Sequence, residues 1–287
     1  RELQFAHCTH IPYENLDILR GVPLSLDEDD LYKKVVEEGR GGFCFELNGL
    51  FAWLLRELGY GVTEYAARYL RGESGIPMRR HRVLKVVALD GVWCCDVGIG
   101  EVCPRYPVLL AEGVEQAQFD ERYRFDAAGA LGWVLMDLHR GEWRRFYSFT
   151  TEPQLPQDYD ALCLYCEKSP RSPFINAEMF SLKTPTGRIT LDGHIYKEFD
   201  GGRVPEIQDR QEIRLRVAES PVRFVGRLLL FERPLLRVLN RQISRDDQEL
   251  GQHAPRFRER QHPAEVRVDR QRGEFPPLPR QVSGRVE

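Results

Sequence analysis

A double glycine running straight into an apolar helical pattern fixes where one helix of this chain must begin: Arg40-Gly41-Gly42-Phe43-Cys44-Phe45-Glu46-Leu47-Asn48. The glycines let other backbone approach closely, and the cysteine falls at the helix start. Unpaired backbone N–H groups and the helix dipole favour negative charge there, so the placement predicts a stabilised thiolate at Cys44. Further along, His81 and Asp96 each fall in a segment that reads as a strand. Cysteine, histidine and aspartate in that order are the parts of a thiol nucleophile, its base and the group that orients the base.

Each of these residues also has an inert reading. A lone cysteine at a helix start is usually structural, and a histidine opening an apolar strand is more often simply satisfied there. Asp96 is more telling. It lies in Val92-Trp93-Cys94-Cys95-Asp96-Val97, where a buried carboxylate needs a partner, and His81 can supply one. In the functional reading His81 takes the proton from Cys44 or holds a Cys⁻/His⁺ pair, and Asp96 fixes the imidazole tautomer. The thiolate attacks an acyl carbonyl, keeps the acyl group as a thioester, and hands it to a second nucleophile. One geometric difficulty accompanies this reading. A two-residue turn at Asp90-Gly91 sets Asp96 opposite Lys85, four residues and about 13 Å of strand from His81. Contact then requires a bulge, strong coiling or another register.

Around these residues the pattern predicts an α+β fold. Residues 1–60 read as a helical domain. Ser25-Leu26-Asp27-Glu28 matches a capping box, Gly39 is a stop signal, and a second helix from Cys44 carries Leu47, Leu50, Phe51, Leu54, Leu55 and Leu58 at helical spacing. Residues 61–166 read as an antiparallel sheet or small barrel, with turns at Asp90-Gly91 and Arg140-Gly141. A proline-rich connection (167–176) and further strands over Phe180–Phe199 open a third region, 167–240. Residues 241–287, with arginine, glutamine and proline but no lysine, read as an atypical, disordered tail.

Composition excludes several classes. The 287 residues are 42% hydrophobic, enough for a core, and the formal charge of −3 argues against a dedicated nucleic-acid binder. No apolar run reaches the ~18–20 residues that span a bilayer; Leu228-Leu229-Leu230-Phe231 is too short. No signal peptide is visible, and the chain opens on Arg1, so it reads as a fragment. Seven cysteines, an odd number, suit a reducing cytoplasm better than a disulfide framework. Cys163-Leu-Tyr-Cys166 has no second pair at zinc spacing, and His7 and His10 lack companion ligands, so no metal is expected. The GxG at Gly98-Ile99-Gly100 opens no helix and reads as a tight loop beside the site rather than a dinucleotide fingerprint.

Taken together these segments resemble the arylamine N-acetyltransferases. The likeness is carried by Ile11–Asp17 (IPYENLD), Arg40–Asn48 (RGGFCFELN), His81 with Asp96–Gly100 (DVGIG), Phe146–Pro153 (FYSFTTEP) and, later, Ser181–Gly187 (SLKTPTG). Cys44 and His81 lie 37 residues apart, and His81 and Asp96 15 apart, which also looks like the family's spacing. The resemblance implies a helical bundle, a β-barrel and an α/β lid. It implies ping-pong transfer of acetyl from acetyl-CoA, as acyl-donor substrate rather than bound cofactor, to an arylamine or arylhydrazine. The catalytic residues would be Cys44, His81 and Asp96. Gly98, Gly100 and Thr184 would border CoA, and Phe43, Ile99 and Arg80 the acceptor, although the family commonly has an aromatic at Ile99. The family's opening helix is missing before Arg1, and the likeness stops near residue 205. A related amide synthase, a cysteine hydrolase and an inactive truncated fragment are the alternatives.

Overall fold

The computed structural model describes residues 1–192, 195–200 and 206–207. The tail assigned to 241–287, most of the lid-like region and the Leu228–Phe231 run lie outside the described residues.

The N-terminal part is helical: α1 (Glu2–His10), α2 (Leu16–Arg20), α3 (Glu28–Tyr32) and α4 (Cys44–Glu57). The cap of α3 is Asp27, not Ser25. Asp27 Oδ1 accepts from Asp29 N at 3.0 Å, while Ser25 Oγ accepts only from Asp27 N at 3.2 Å, so the helix starts beyond the expected box. A wide π turn, Lys33–Glu37, follows α3. Gly39, at φ +64°, reverses the chain as its stop role requires. α4 buries Leu47, Leu50, Phe51 and Leu55 against Leu31, Val35, Leu84 and Val86. Burying each such side chain is worth about 1.5–3 kcal/mol, which is why the apolar spacing prevails here.

The second layer is an eight-stranded antiparallel sheet. Its strands are β2 (Gly61–Tyr69), β3 (His81–Ala88), β4 (Gly91–Cys95), β5 (Val108–Leu109), β6 (Gln116–Gln118), β7 (Glu121–Ala127), β8 (Trp133–His139) and β9 (Glu142–Phe149), in the order β5-β4-β3-β2-β9-β8-β7-β6. α4 packs on β2 and β3. Ala88 pairs with Gly91, so Leu89 and Asp90 make the turn, and Lys85 faces Cys94 rather than Asp96. Continuing that register sets Asp96 opposite Val83, two residues from His81 instead of four. The separation falls to about 7 Å, within reach of two side chains on the same face. No bulge is needed between β3 and β4.

The strand-bearing stretch read to residue 166 ends at β9, and Asp160–Lys168 is a helix, α5. Cys163 and Cys166, three apart, both face inward from it toward Phe43, Phe45 and Tyr159. A smaller antiparallel sheet runs β1 (Tyr13–Glu14), β10 (Met179–Lys183), β11 (Gly187–Asp192), β12 (Ile195–Asp200), β13 (Glu206–Ile207). In it Tyr13 pairs with Ser181. β10 to β12 match the strands expected over Phe180–Phe199.

Candidate active site

The start of α4 is held by charges buried beneath it. Arg40 donates through Nε and Nη2 to Glu14 Oε1 (3.1 and 2.8 Å) and through Nη2 to Asp17 Oδ1 (2.8 Å). Lys34 reaches Asp17 at 2.6 Å and Glu46 at 2.7 Å. Glu46 Oε2 accepts from Phe43 N at 3.0 Å, closing the first turn of the helix. Burial pushes the Glu46 carboxyl up to about 7 despite Lys34. Gly42 N donates to Pro12 O and Gly42 O accepts from Glu14 N, so the two motifs IPYENLD and RGGFCFELN are joined backbone to backbone. A side chain at Gly41 would place Cβ 2.1 Å from Pro12 O, and the approach demands glycine.

This clamp presents Cys44 as the first residue of α4, buried, with its thiol donating to Arg80 O at 3.6 Å. The expected thiolate stabilisation does not prevail at this helix start. Burial pushes the Cys44 thiol well up, and Cys166, Asp96 and Cys163 act in the same direction. The Phe45 backbone N–H opposes them. A thiol so placed favours its neutral form.

Arg80, whose carbonyl receives the thiol, precedes His81, the first residue of β3. His81 Nε2 bonds Asp96 Oδ2 at 2.7 Å, with both side chains buried. Asp96 Oδ1 accepts from Gly98 N and from Asn48 Nδ2, each at 2.9 Å. Gly98 lies so close to the start of α4 that a Cβ would fall 2.8 Å from Cys44 Cα. The Tyr147 ring packs near the imidazole, 5.6 Å between centroids.

A cavity of about 540 Å³ opens over this arrangement, lined by Cys44, His81, Arg80, Gly98, Ile99 and Gly100 together with residues of β10 to β12. Arg80 points its guanidinium to Glu73 at 2.6 Å. Three of the sequence-derived residues do not line it. Asp96 lies behind His81. Phe43 is fully buried and packs on Phe45 and Phe174, the latter a cavity residue. Thr184 sits in the β10–β11 turn, where its Oγ1 accepts from Gly187 N at 2.7 Å. Sequence reasoning overlooked Tyr13, Tyr69, Phe174 and Arg188, all cavity residues, and Asn48. Of these only Asn48 left a signal, as a polar residue among the apolar positions of α4. Among the described residues no His, Cys, Asp and Glu cluster has the arrangement of a metal site, and no helix is long and apolar enough to cross a membrane.

Comparison with known proteins identifies the family. A family model described as N-acetyltransferase matches residues 1–218. An arylamine N-acetyltransferase of Mycolicibacterium smegmatis is 36% identical over 194 residues, 66% of this chain and 70% of the relative. An "Arylamine N-acetyltransferase / N-hydroxyarylamine O-acetyltransferase" of Salmonella typhimurium is 32% identical over 208 residues, 72% of this chain and 74% of the relative. Among solved structures, the Salmonella typhimurium arylamine N-acetyltransferase superposes with a TM-score of 0.73 at 29% identity, covering 78% of this chain and 84% of that one. The Mycobacterium marinum enzyme in complex with CoA gives 0.72 at 31%, covering 77% and 84%. The helical layer, the antiparallel sheet and the matched family model define an acetyltransferase. The chain belongs to the arylamine N-acetyltransferase family.

Proposed function

We propose that this enzyme moves acetyl from acetyl-CoA to the nitrogen of an arylamine or arylhydrazine, or the oxygen of an arylhydroxylamine, by a ping-pong route through Cys44. The observation that carries the reading is the 2.7 Å His81–Asp96 contact beside a cavity that Cys44 and His81 both line. Asp96 holds Nε2–H, which leaves Nδ1 of His81 to receive the thiol proton. The sulfur then attacks the acetyl carbonyl, and the CoA thiolate leaves with the proton from His81. The acceptor amine attacks the thioester carbon and gives its proton to His81, and the amide departs as Cys44 regains its hydrogen. Asp96 stabilises the imidazolium that forms in each half-reaction. The CoA found with the Mycobacterium marinum relative supports this donor. Gly98 and Gly100 would border its acyl end. Arg80 and Ile99 would lie along the acceptor, with Phe43 acting only through Phe174. Thr184, its hydroxyl engaged in a turn, is the weakest of the proposed CoA contacts.

We further place the enzyme in the cytoplasm and keep the division at 1–60, 61–166, 167–240 and 241–287 as its working organisation. Seven cysteines, all free and buried, fit a reducing compartment. Initial rates against acetyl-CoA at several fixed arylamine concentrations test the mechanism. Parallel double-reciprocal lines are expected; lines that intersect would mean that both substrates must be bound together. Turnover of acetyl-CoA at the same rate without any amine would instead mark a hydrolase.

A further inference from the structure

Asn48 ties the helix that carries Cys44 to the His81 strand and to the Asp96 loop. It lies on α4, one turn beyond Cys44, and is fully buried. Its Nδ2 donates to Asp96 Oδ1 at 2.9 Å and to Arg82 O, on the strand that begins with His81, at 2.7 Å. Its Oδ1 accepts from Val97 N, in the loop after Asp96, at 2.9 Å. Two donors and one acceptor are each matched, so the amide has a single orientation. Flipped, it would set oxygen against a carboxylate and a carbonyl.

We infer that Asn48 is a positioning residue for the acid–base pair. With Asn48 and Gly98 N both occupying Asp96 Oδ1, Oδ2 is left to His81 alone, and the carboxylate plane is fixed relative to the helix that carries the sulfur. The consequence reaches the thiol through His81: a carboxylate that rotates or takes up a proton no longer stabilises the imidazolium, and the base weakens. The inference rests on the proposed triad, and its test separates the two.

The experiment is the pH profile of Cys44 alkylation by iodoacetamide, read by mass spectrometry beside kcat/KM. Four chains are compared: the unaltered enzyme, Asn48→Ala, the near-isosteric Asn48→Asp, and His81→Ala. Asn48→Ala is expected to move the alkylation midpoint toward alkaline pH and to cut kcat/KM by roughly 10- to 100-fold, less than loss of a whole general base. Asn48→Asp keeps the Val97 bond but sets a second carboxyl against Asp96, itself bonded to His81, and against the Arg82 carbonyl. It should work where the two carboxyls share a proton and fail above that pH. Either variant with an unshifted profile overturns the assignment, whether or not its activity falls, because destabilisation alone lowers amplitude without moving the midpoint. If His81→Ala also leaves the midpoint in place, the triad itself fails. Should both Asn48 variants fail to fold, NMR of the unaltered enzyme decides. The Asn48 side-chain amide protons should titrate with the alkylation midpoint, and a pH-independent amide overturns the proposal.

Discussion

At the scale of single residues, the site depends on how closely backbone and side chains approach. Gly98 is the sharpest case. An alanine there would bring Cβ within 2.7 Å of Asn48 Nδ2 and 2.8 Å of Cys44 Cα, so either the loop or α4 must shift. Gly98→Ala should cost about 1–3 kcal/mol in urea unfolding and reduce kcat/KM more than it raises KM. Unchanged kinetics would mean that the loop has room the structure does not show. Cys44, His81 and Asp96 were legible as candidates because their chemistry and chain order are unusual together. Asn48 showed only as a polar residue among apolar positions, because its partners lie 34 to 49 positions away. The elevated Cys44 thiol was equally hidden, since its burial, reinforced by the charges of Cys166, Asp96 and Cys163, shows only in the folded chain.

At the scale of elements, two contacts set the position of α4. Arg40 satisfies Glu14, whose side chain is fully buried, and Asp17. Arg40→Met should destabilise the protein by about 3 kcal/mol, the usual cost of leaving a buried charge without its partner. Adding Glu14→Gln should recover part of the loss. Additive losses in urea unfolding would show that the two residues do not act as a pair. On α1, His7 packs edge-on against Phe51, and burial lowers its pKa from 6.5 to about 3. The folded state therefore binds fewer protons than the unfolded chain between these values. Its stability is full above pH 6.5 and declines as pH falls toward 3. His7→Phe should flatten that decline in unfolding experiments at pH 4 to 7, and an unchanged slope would assign it to other groups. The strands were readable from their β-branched and aromatic content and the turns between them, yet the β3–β4 register was not. A turn one residue earlier, at Leu89–Asp90, shifts every pairing by two, and that shift brings Asp96 to His81. The helix at Asp160–Lys168 escaped because its buried face is two cysteines and a few apolar residues, too short a pattern to tell from strand.

At the scale of the whole molecule, three separate stretches of chain converge. The helical segment brings the thiol, the large sheet the imidazole and carboxylate, and the small sheet the far wall of the cavity. The α+β class was legible from the change of periodicity at Gly61. The closing of the cavity by β10 to β12 was not, because it depends on Tyr13 pairing with Ser181 across most of the chain. Desulfo-CoA, which cannot donate an acyl group, should raise stability by about 2.7 kcal/mol at a hundredfold excess over its Kd. No shift in the melting temperature would mean that the folded protein does not bind CoA. The central claim is tested most directly by a mass-spectrometric chase. The enzyme is treated with acetyl-CoA, freed of excess donor, and then given an arylamine. One acetyl group should be found on Cys44 and should leave at the rate at which acetylated amine forms. An acetyl group that stays on the enzyme while product accumulates, or that sits on a residue other than Cys44, would contradict the account.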